Sequence, residues 1–360
     1  MTTPPSPGRS APTRRTVLSL AAAASASTAL AACGNAESQS GAEASVPAGS
    51  GGATDAFPLT VAHQFGETVV PAKPRRVVVV GLTEQDVLLE LGVVPVATTE
   101  WYGERPHAVW PWAEHLLGGA EPEVLSQSDG LQLERIAALA PDLIVGTNAG
   151  LDREQYDKLT AIAPTVTSIA GSEKYFSNWA DQTRQVARAV GRSAAGDALV
   201  AEVEDAYART AAAHPEFAGK QATFSQGEPY EGVLYVYPDG VNTDFLTELG
   251  FRMTPGLETW AAEAGQQAQI SAERTDLLDA DVVVFATEEE GAVDRLLDFG
   301  TLRSLDAVQQ GRAVFTDPVL AGAIYFLTPL STTYVLEHLT PLLAEAVAGR
   351  SPQEMAIATA

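Results

Sequence analysis

The feature that most constrains this chain is a thirteen-residue block that occurs twice. Residues 133–145 read LERIAALAPDLIV and residues 272–284 read AERTDLLDADVVV, an offset of 139 positions. Glu134 and Arg135 match Glu273 and Arg274, Leu139 matches Leu278, and Asp142 matches Asp281. Each copy runs from a short helical pattern through an Asp into a continuous apolar run, the pattern of a buried parallel strand. A second echo precedes each copy: EQDVLLELG at 84–92 and NTDFLTELG at 242–250, now 158 positions apart. One α/β unit therefore recurs in the same order, and the fold expected is α/β, with two similar lobes of parallel-rich sheet. The two offsets differ by 19, which locates extra chain in the first lobe between Gly92 and Glu134. That stretch holds Trp101, Tyr102, Trp110 and Trp112, and extra aromatic chain in one lobe points to a ligand.

A length of 360 residues accommodates two domains, each with its own core. The formal net charge is −24. So acidic a body is repelled by nucleic acid, and no nucleic-acid partner is expected. The five histidines, His63, His107, His115, His214 and His338, never fall at metal-ligand spacing. No phosphate-binding glycine loop follows a strand, and no nucleophile elbow is present. Catalysis has no support, no metal or cofactor is called for, and the chain is not expected to be an enzyme.

Arg9, Arg14 and Arg15 precede an apolar run that ends in Leu30, Ala31, Ala32 and Cys33, the sole cysteine. A basic start, a short apolar stretch and small residues make residues 1–32 a signal peptide, too short to span a membrane comfortably. The last four positions resemble a bacterial lipobox, which implies that Cys33 is diacylated and becomes the mature N-terminus. Residues 13–18 also resemble a twin-arginine export signal, so the export route stays open. Residues 33–56 are then a lipidated cysteine and a flexible Gly/Ser-rich tether. The body would stand on the outer face of the cytoplasmic membrane, with the lipid its only membrane contact.

Downstream, strands are expected at 75–80, 93–98, 142–147 and 165–169, with Thr83 capping a helix at 84–91. Apolar three-to-four spacing over 197–213 predicts a long helix linking the lobes. The lobes then cover 57–190 and 214–360, with the link at 191–213. Ligands of open α/β sheets gather at strand carboxyl ends. That rule selects Trp101, Tyr102, Arg105, Asn148, Tyr230, Trp260 and Tyr325 as candidate ligand-binding residues, Tyr325 on a loop at 317–326. Trp110 and Trp112 are expected to pack within the extra segment. Glu288, Glu289 and Glu290 form a solvated turn that discourages anionic ligands.

Together, the lipobox, the tether, PRRVVVVG at 74–81, the 133–145 block and RSLDAVQQGRAVF at 303–315 resemble substrate-binding lipoproteins of ABC importers for ferric siderophores, haem and cobalamin. WYGERP at 101–106 and VWPWA at 109–113 are similar to the actinobacterial ferric-siderophore branch. The resemblance implies two lobes joined by one rigid helix, a ferric siderophore as ligand, delivery to ABC permease subunits and action as a monomer. It also implies that Glu134 and Glu273 dock the two permease subunits. Because both open helices, they are expected opposite the strand ends, far from ligand. Haem or cobalamin binding on the same scaffold, or a lipid-tethered hydrolase, stays open. The chemistry of the cleft, with Arg105 its one evident cation, favours a neutral or cationic hydroxamate complex.

Overall fold

The computed structural model describes residues 55–128, 130–172, 177–263, 265–289 and 291–355. The signal segment, Cys33, the tether and Glu290 lie outside them. A hairpin, β1 (Leu59–His63) and β2 (Gly66–Val70), opens the described chain with alternate residues buried. Five short strands follow: β3 (Val77–Val79), β4 (Ala97–Thr99), β5 (Glu123–Leu125), β6 (Leu143–Gly146) and β7 (Thr165–Thr167). They form one all-parallel sheet in the order β5-β4-β3-β6-β7. The runs β3 and β6 are buried at every residue, as strands covered on both faces must be. β4 starts later than its apolar run suggests because Pro95 has no N–H for the ladder.

The covering helices are α1 (Glu84–Glu90), α2 (Pro111–Glu114), α3 (Leu133–Ala138), α4 (Arg153–Thr160) and α5 (Trp179–Ala189). Asp152 closes a capping box with Gln155 on α4, and the Asn178 side chain caps α5. Thr83 does not cap α1, contrary to expectation. Its backbone N–H is taken by the Glu84 carboxylate, and its hydroxyl accepts from Asn148 and Gln182 instead. Helix α6 (Ser193–Ala213) extends for 21 residues and buries Val200, Val203 and Tyr207. Gly196 lets it approach α5: a Cβ there would collide with Ala187.

The second sheet comprises β8 (Gln221–Gln226), β9 (Val233–Tyr237), β10 (Arg252–Met253), β11 (Ala268–Ser271), β12 (Val282–Ala286) and β13 (Ala313–Phe315). Its order is β11-β9-β8-β12-β13, with β10 also on β8. Here β9 runs antiparallel to both β8 and β11. The β8–β9 turn explains the reversal. Tyr230 and Val233 exchange backbone hydrogen bonds across Glu231 and Gly232, whose φ values are 51° and 82°. Two left-handed residues in succession are the geometry that matches strand twist in a two-residue hairpin. Remaining helices are α7 (Asp244–Thr247), α8 (Ala292–Leu297), α9 (Asp306–Gln309), α10 (Pro318–Phe326) and α11 (Pro329–Val347). The stretch expected as a loop at 317–326 is thus a helix, N-capped by Asp317 through the Leu320 N–H (2.7 Å). The second copy of the repeat departs from the first. Ala272–Leu278 is a kinked 3-10 turn rather than an α-helix, with Thr275 and Asp276 where α3 has the better helix formers Ile136 and Ala137.

Cores do not divide cleanly between the sheets. One apolar cluster holds Leu89, Val109, Trp110, Trp112 and Ala113 together with Phe224, Tyr237, Ile324, Phe326 and Leu339. The extra aromatic segment is what crosses. Trp110 and Trp112 stack at 5.1 Å, and each meets Phe326 of α10 edge-on, at 5.7 and 5.3 Å. These tryptophans therefore pack against each other and Tyr102 within their own segment, as expected, and against the second half as well. Gly322 makes room, since a Cβ on it would enter the Trp110 ring.

Candidate functional site

The carboxyl ends of β4, β5 and β6 face a set of chambers that continues to the ends of β8 and β12. A first-lobe chamber of about 510 Å³ is lined by Leu82, Glu100, Trp101, Ser126, Gln127, Ser128 and Asn148. Trp101 also walls a central chamber of about 180 Å³, with Tyr102, Phe224, Gln226, Tyr237, Asn242, Glu288, Ile324 and Tyr325. Tyr102, Gln226 and Glu288 pass on into a rim chamber of about 500 Å³ that adds Arg105, Trp110, Glu228, Tyr230 and Glu289. The sizes and the aromatic lining are those of a small-molecule cleft.

Local structure presents each wall. After β4 the chain turns through Gly103, Glu104, His107 and Ala108, all left-handed, with φ of 82°, 49°, 56° and 50°. That tight path throws Trp101 and Tyr102 into the cleft before the segment returns to bury Trp110. Their rings meet at 5.0 Å, and Tyr102 meets Trp110 at 5.1 Å. Arg105 lies over the Trp110 ring at 4.5 Å, a cation–π contact, and its Nε is buried without a partner. Tyr325 faces in from α10, within 6.4 Å of the Trp101, Tyr102, Tyr237 and Phe224 rings. Burial pushes the Tyr237 phenol up to about 12, and those of Tyr102 and Tyr325 higher. All three stay neutral.

Asn148 is held from behind. Glu84, buried beneath it, accepts from the Asn148 backbone N–H and the Thr147 hydroxyl (3.0 Å). Burial raises the Glu84 carboxyl above the usual range, and these donors oppose the rise. The Asn148 side-chain oxygen has no hydrogen-bond partner and belongs to the chamber wall.

Of the seven residues picked from sequence, six line the three chambers: Trp101, Tyr102, Arg105, Asn148, Tyr230 and Tyr325. Tyr230, at the hairpin tip, is 62% exposed. Trp260 is not among the lining residues. It lies 38% exposed under the Arg274 guanidinium at 4.8 Å, beside Glu273. Gln226 and Glu288 also line the central chamber, in the segments 226–230 and 287–288 that the strand-end rule selects from the sequence, whereas Asn242 was missed.

The expectation that Glu134 and Glu273 lie opposite the strand ends is overturned. A helix that follows a strand begins where that strand finishes. Gln132, just before α3, accepts from the N–H of Ser126, a chamber-lining residue at the end of β5 (3.3 Å). The Ala272–Leu278 turn likewise follows Ser271, which pairs with Val233 beside the Tyr230 turn. Both glutamates therefore sit on the cleft side. They are exposed, line no chamber, and carry no ion pair among the described residues. Their neighbours differ: Arg135 is tied to Glu123 at 2.5 Å and Arg274 to Asp276 at 3.2 Å.

Among the described residues no group of three or more His, Cys, Asp or Glu side chains is arranged to hold a metal ion. His63 is hydrogen-bonded to Thr68 (2.9 Å), His214 to Glu216 (2.9 Å), and His338 packs on Tyr334. No described helix is long and apolar enough to cross a membrane.

Known proteins resemble this chain over most of its length. It is 29% identical over 330 residues to the probable siderophore-binding lipoprotein YfiY of Bacillus subtilis (strain 168), covering 85% of this chain and 94% of that one. A periplasmic solute-binding protein from Mycobacterium smegmatis superposes with a TM-score of 0.75 at 42% identity, covering 80% of this chain and 98% of the other. PiaA of Streptococcus pneumoniae TIGR4, solved in complex with ferrichrome, gives 0.67 at 26% identity, covering 81% and 99%. The profile of the periplasmic binding protein family matches residues 77–320, from β3 into α10 and so across both sheets. By that match and these relatives, the chain belongs to the periplasmic binding protein family.

Proposed function

We propose that this protein captures a ferric siderophore in the cleft between its two sheets and hands it to an ABC permease, without catalysing a reaction. Iron enters as cargo inside its chelator. The observation that carries the reading is the run of three connected chambers at the strand ends, joined through the aromatic walls Trp101 and Tyr102, in a family whose relatives include siderophore binders. A metal chelate offers a bulky surface of mixed polarity. Aromatic rings interspersed with polar side chains suit it better than a metal-ligating cluster would. Trp101, Tyr102, Arg105, Asn148, Tyr230 and Tyr325 are the residues proposed to contact it.

Titrating intrinsic tryptophan fluorescence with ferrichrome, ferrioxamine B, ferric citrate, haem and cobalamin tests this directly. A ferric siderophore is expected to quench the signal, and Trp101→Ala with Tyr102→Ala to weaken binding at least about tenfold. A flat response to every ferric siderophore beside a clear response to haem or cobalamin would transfer the function to that ligand.

The proposed setting is the outer face of the cytoplasmic membrane. Its support is the arginine-led apolar leader ending at Cys33 and the lipoprotein names of the relatives. Cys33→Ala is expected to abolish incorporation of a labelled fatty acid and to release the protein from the membrane fraction. Undiminished labelling would exclude Cys33 as the anchor.

A further inference from the structure

The central chamber is too small for the metal-bearing part of a chelate. Its volume is about 180 Å³, against roughly 300–1,000 Å³ for a pocket that encloses a whole small-molecule ligand. It can take one arm. We infer that this arm ends in a positively charged alkylammonium group, an assignment that rests on the siderophore-binding function proposed above.

The walls are aromatic on nearly every side: Trp101, Tyr102, Phe224, Tyr237 and Tyr325. Their negative ring faces attract a cation, and such cages are a recurrent means of holding ammonium groups. The polar atoms match as well. An alkylammonium group has three N–H donors and no acceptor, so it needs oxygens. The Tyr102 hydroxyl is buried without a hydrogen-bond partner, the Tyr325 hydroxyl faces the Glu288 carboxylate, and both neutral phenols offer lone pairs. Gln226 and Asn242 add amide carbonyls, and Glu288 adds a carboxylate at the mouth.

Among the described residues no protein cation competes for the place, and neither Lys nor His lines any of the three chambers. Arg295 is paired with Glu228 and Glu289, and Arg105 is stacked on Trp110 in the rim chamber. Glu288 has no ion pair among the described residues. An anionic arm would meet Glu288 with Glu228 and Glu289 behind it. An uncharged apolar arm would leave the buried Tyr102 hydroxyl without a partner.

The test compares ferrioxamine B, a ferric hydroxamate with a free aminoalkyl arm, with its N-acetyl derivative. The iron centre is the same and only the charge of the arm changes. The mature protein should bind the amine form at least about tenfold more tightly. In Glu288→Gln that preference should fall to within about threefold, with the thermal midpoint confirming a folded variant. Equal affinity for the two forms in the wild type overturns the ammonium assignment and leaves the siderophore reading standing. A tenfold preference that survives Glu288→Gln also overturns it, because the arm would then sit elsewhere. Binding of neither form, alongside binding of haem or cobalamin, removes the proposed function and this inference with it.

Discussion

Asp86→Ala is expected to lower the free energy of unfolding by about 2–5 kcal/mol. Asp86 is wholly buried on α1, and one of its oxygens, Oδ2, holds two distant donors. The Trp112 indole N–H donates to it at 2.7 Å and the Thr328 hydroxyl at 2.8 Å. Thr328 in turn forms the capping box of α11 with Ser331. One carboxyl group thus joins the first sheet's helix, the extra aromatic segment and the C-terminal helix. Truncation strands both donors in an apolar surround, where each lost partner costs about 1–3 kcal/mol. Urea titration monitored by tryptophan fluorescence measures the effect. A loss under about 1 kcal/mol would show that the contact adds little.

The same group makes an unusual pH dependence. Burial pushes Asp86 up to about 7, against the help of its two donors. Glu90, on the same helix, is also pushed up to about 7, by burial and then by the charges of Asp86 and Glu202. A carboxyl whose folded pKa lies above its unfolded value favours folding in its protonated form. The contribution is fully present below the unfolded value, near 4, and is lost as pH rises through 7. Unfolding free energy is therefore expected to fall by a few kcal/mol between pH 5 and pH 8. Asp86→Asn keeps an acceptor oxygen and should flatten much of that slope, leaving the share of Glu90. Wild-type stability that is level or rising over this interval would contradict the assignment.

Glu134→Arg combined with Glu273→Arg is expected to abolish uptake through the cognate permease while shifting siderophore affinity by no more than about threefold. The two glutamates occupy matching positions of the repeat on the cleft side, without an ion pair among the described residues, while their neighbouring arginines are engaged locally. An exposed carboxylate left free at each edge suits a basic partner, and reversing its charge replaces attraction with repulsion of several kcal/mol. Neither residue lines a chamber, which is why the ligand term should be small. Losing the first-turn charge on α3 costs at most about 1 kcal/mol, and the kinked turn around Glu273 has little helix dipole to lose. Normal iron uptake by cells carrying the double variant would dismiss docking through this pair. Lost ligand binding in a folded variant would place the glutamates in the site.

Much of the scaffold was legible from local pattern. The runs at 77–79, 143–146 and 282–286 are strands because a segment buried on both faces must be apolar throughout. Helix α6 shows in the three-to-four spacing of Val200, Val203 and Tyr207. Such signals depend on neighbours a few residues away, and the strand-end rule carried them as far as six of the wall residues. It could not tell Trp260 from Tyr325, because both are aromatic and both follow the second sheet's strands. Tyr325 reaches the cleft only because its residues form α10, which packs against Trp110 across Gly322. Direction failed for a similar reason. The side on which Glu134 and Glu273 lie depends on which strand end each helix continues from, and β5 and β11 were not visible as apolar runs. The link from Asp86 to Thr328 spans 242 positions. A buried acid, an indole and a threonine each have many possible partners along a chain, and no local periodicity relates them. The order of elements is written in short-range apolar spacing; the cleft, its buried carboxyl and its aromatic cage arise only where distant segments exclude water together.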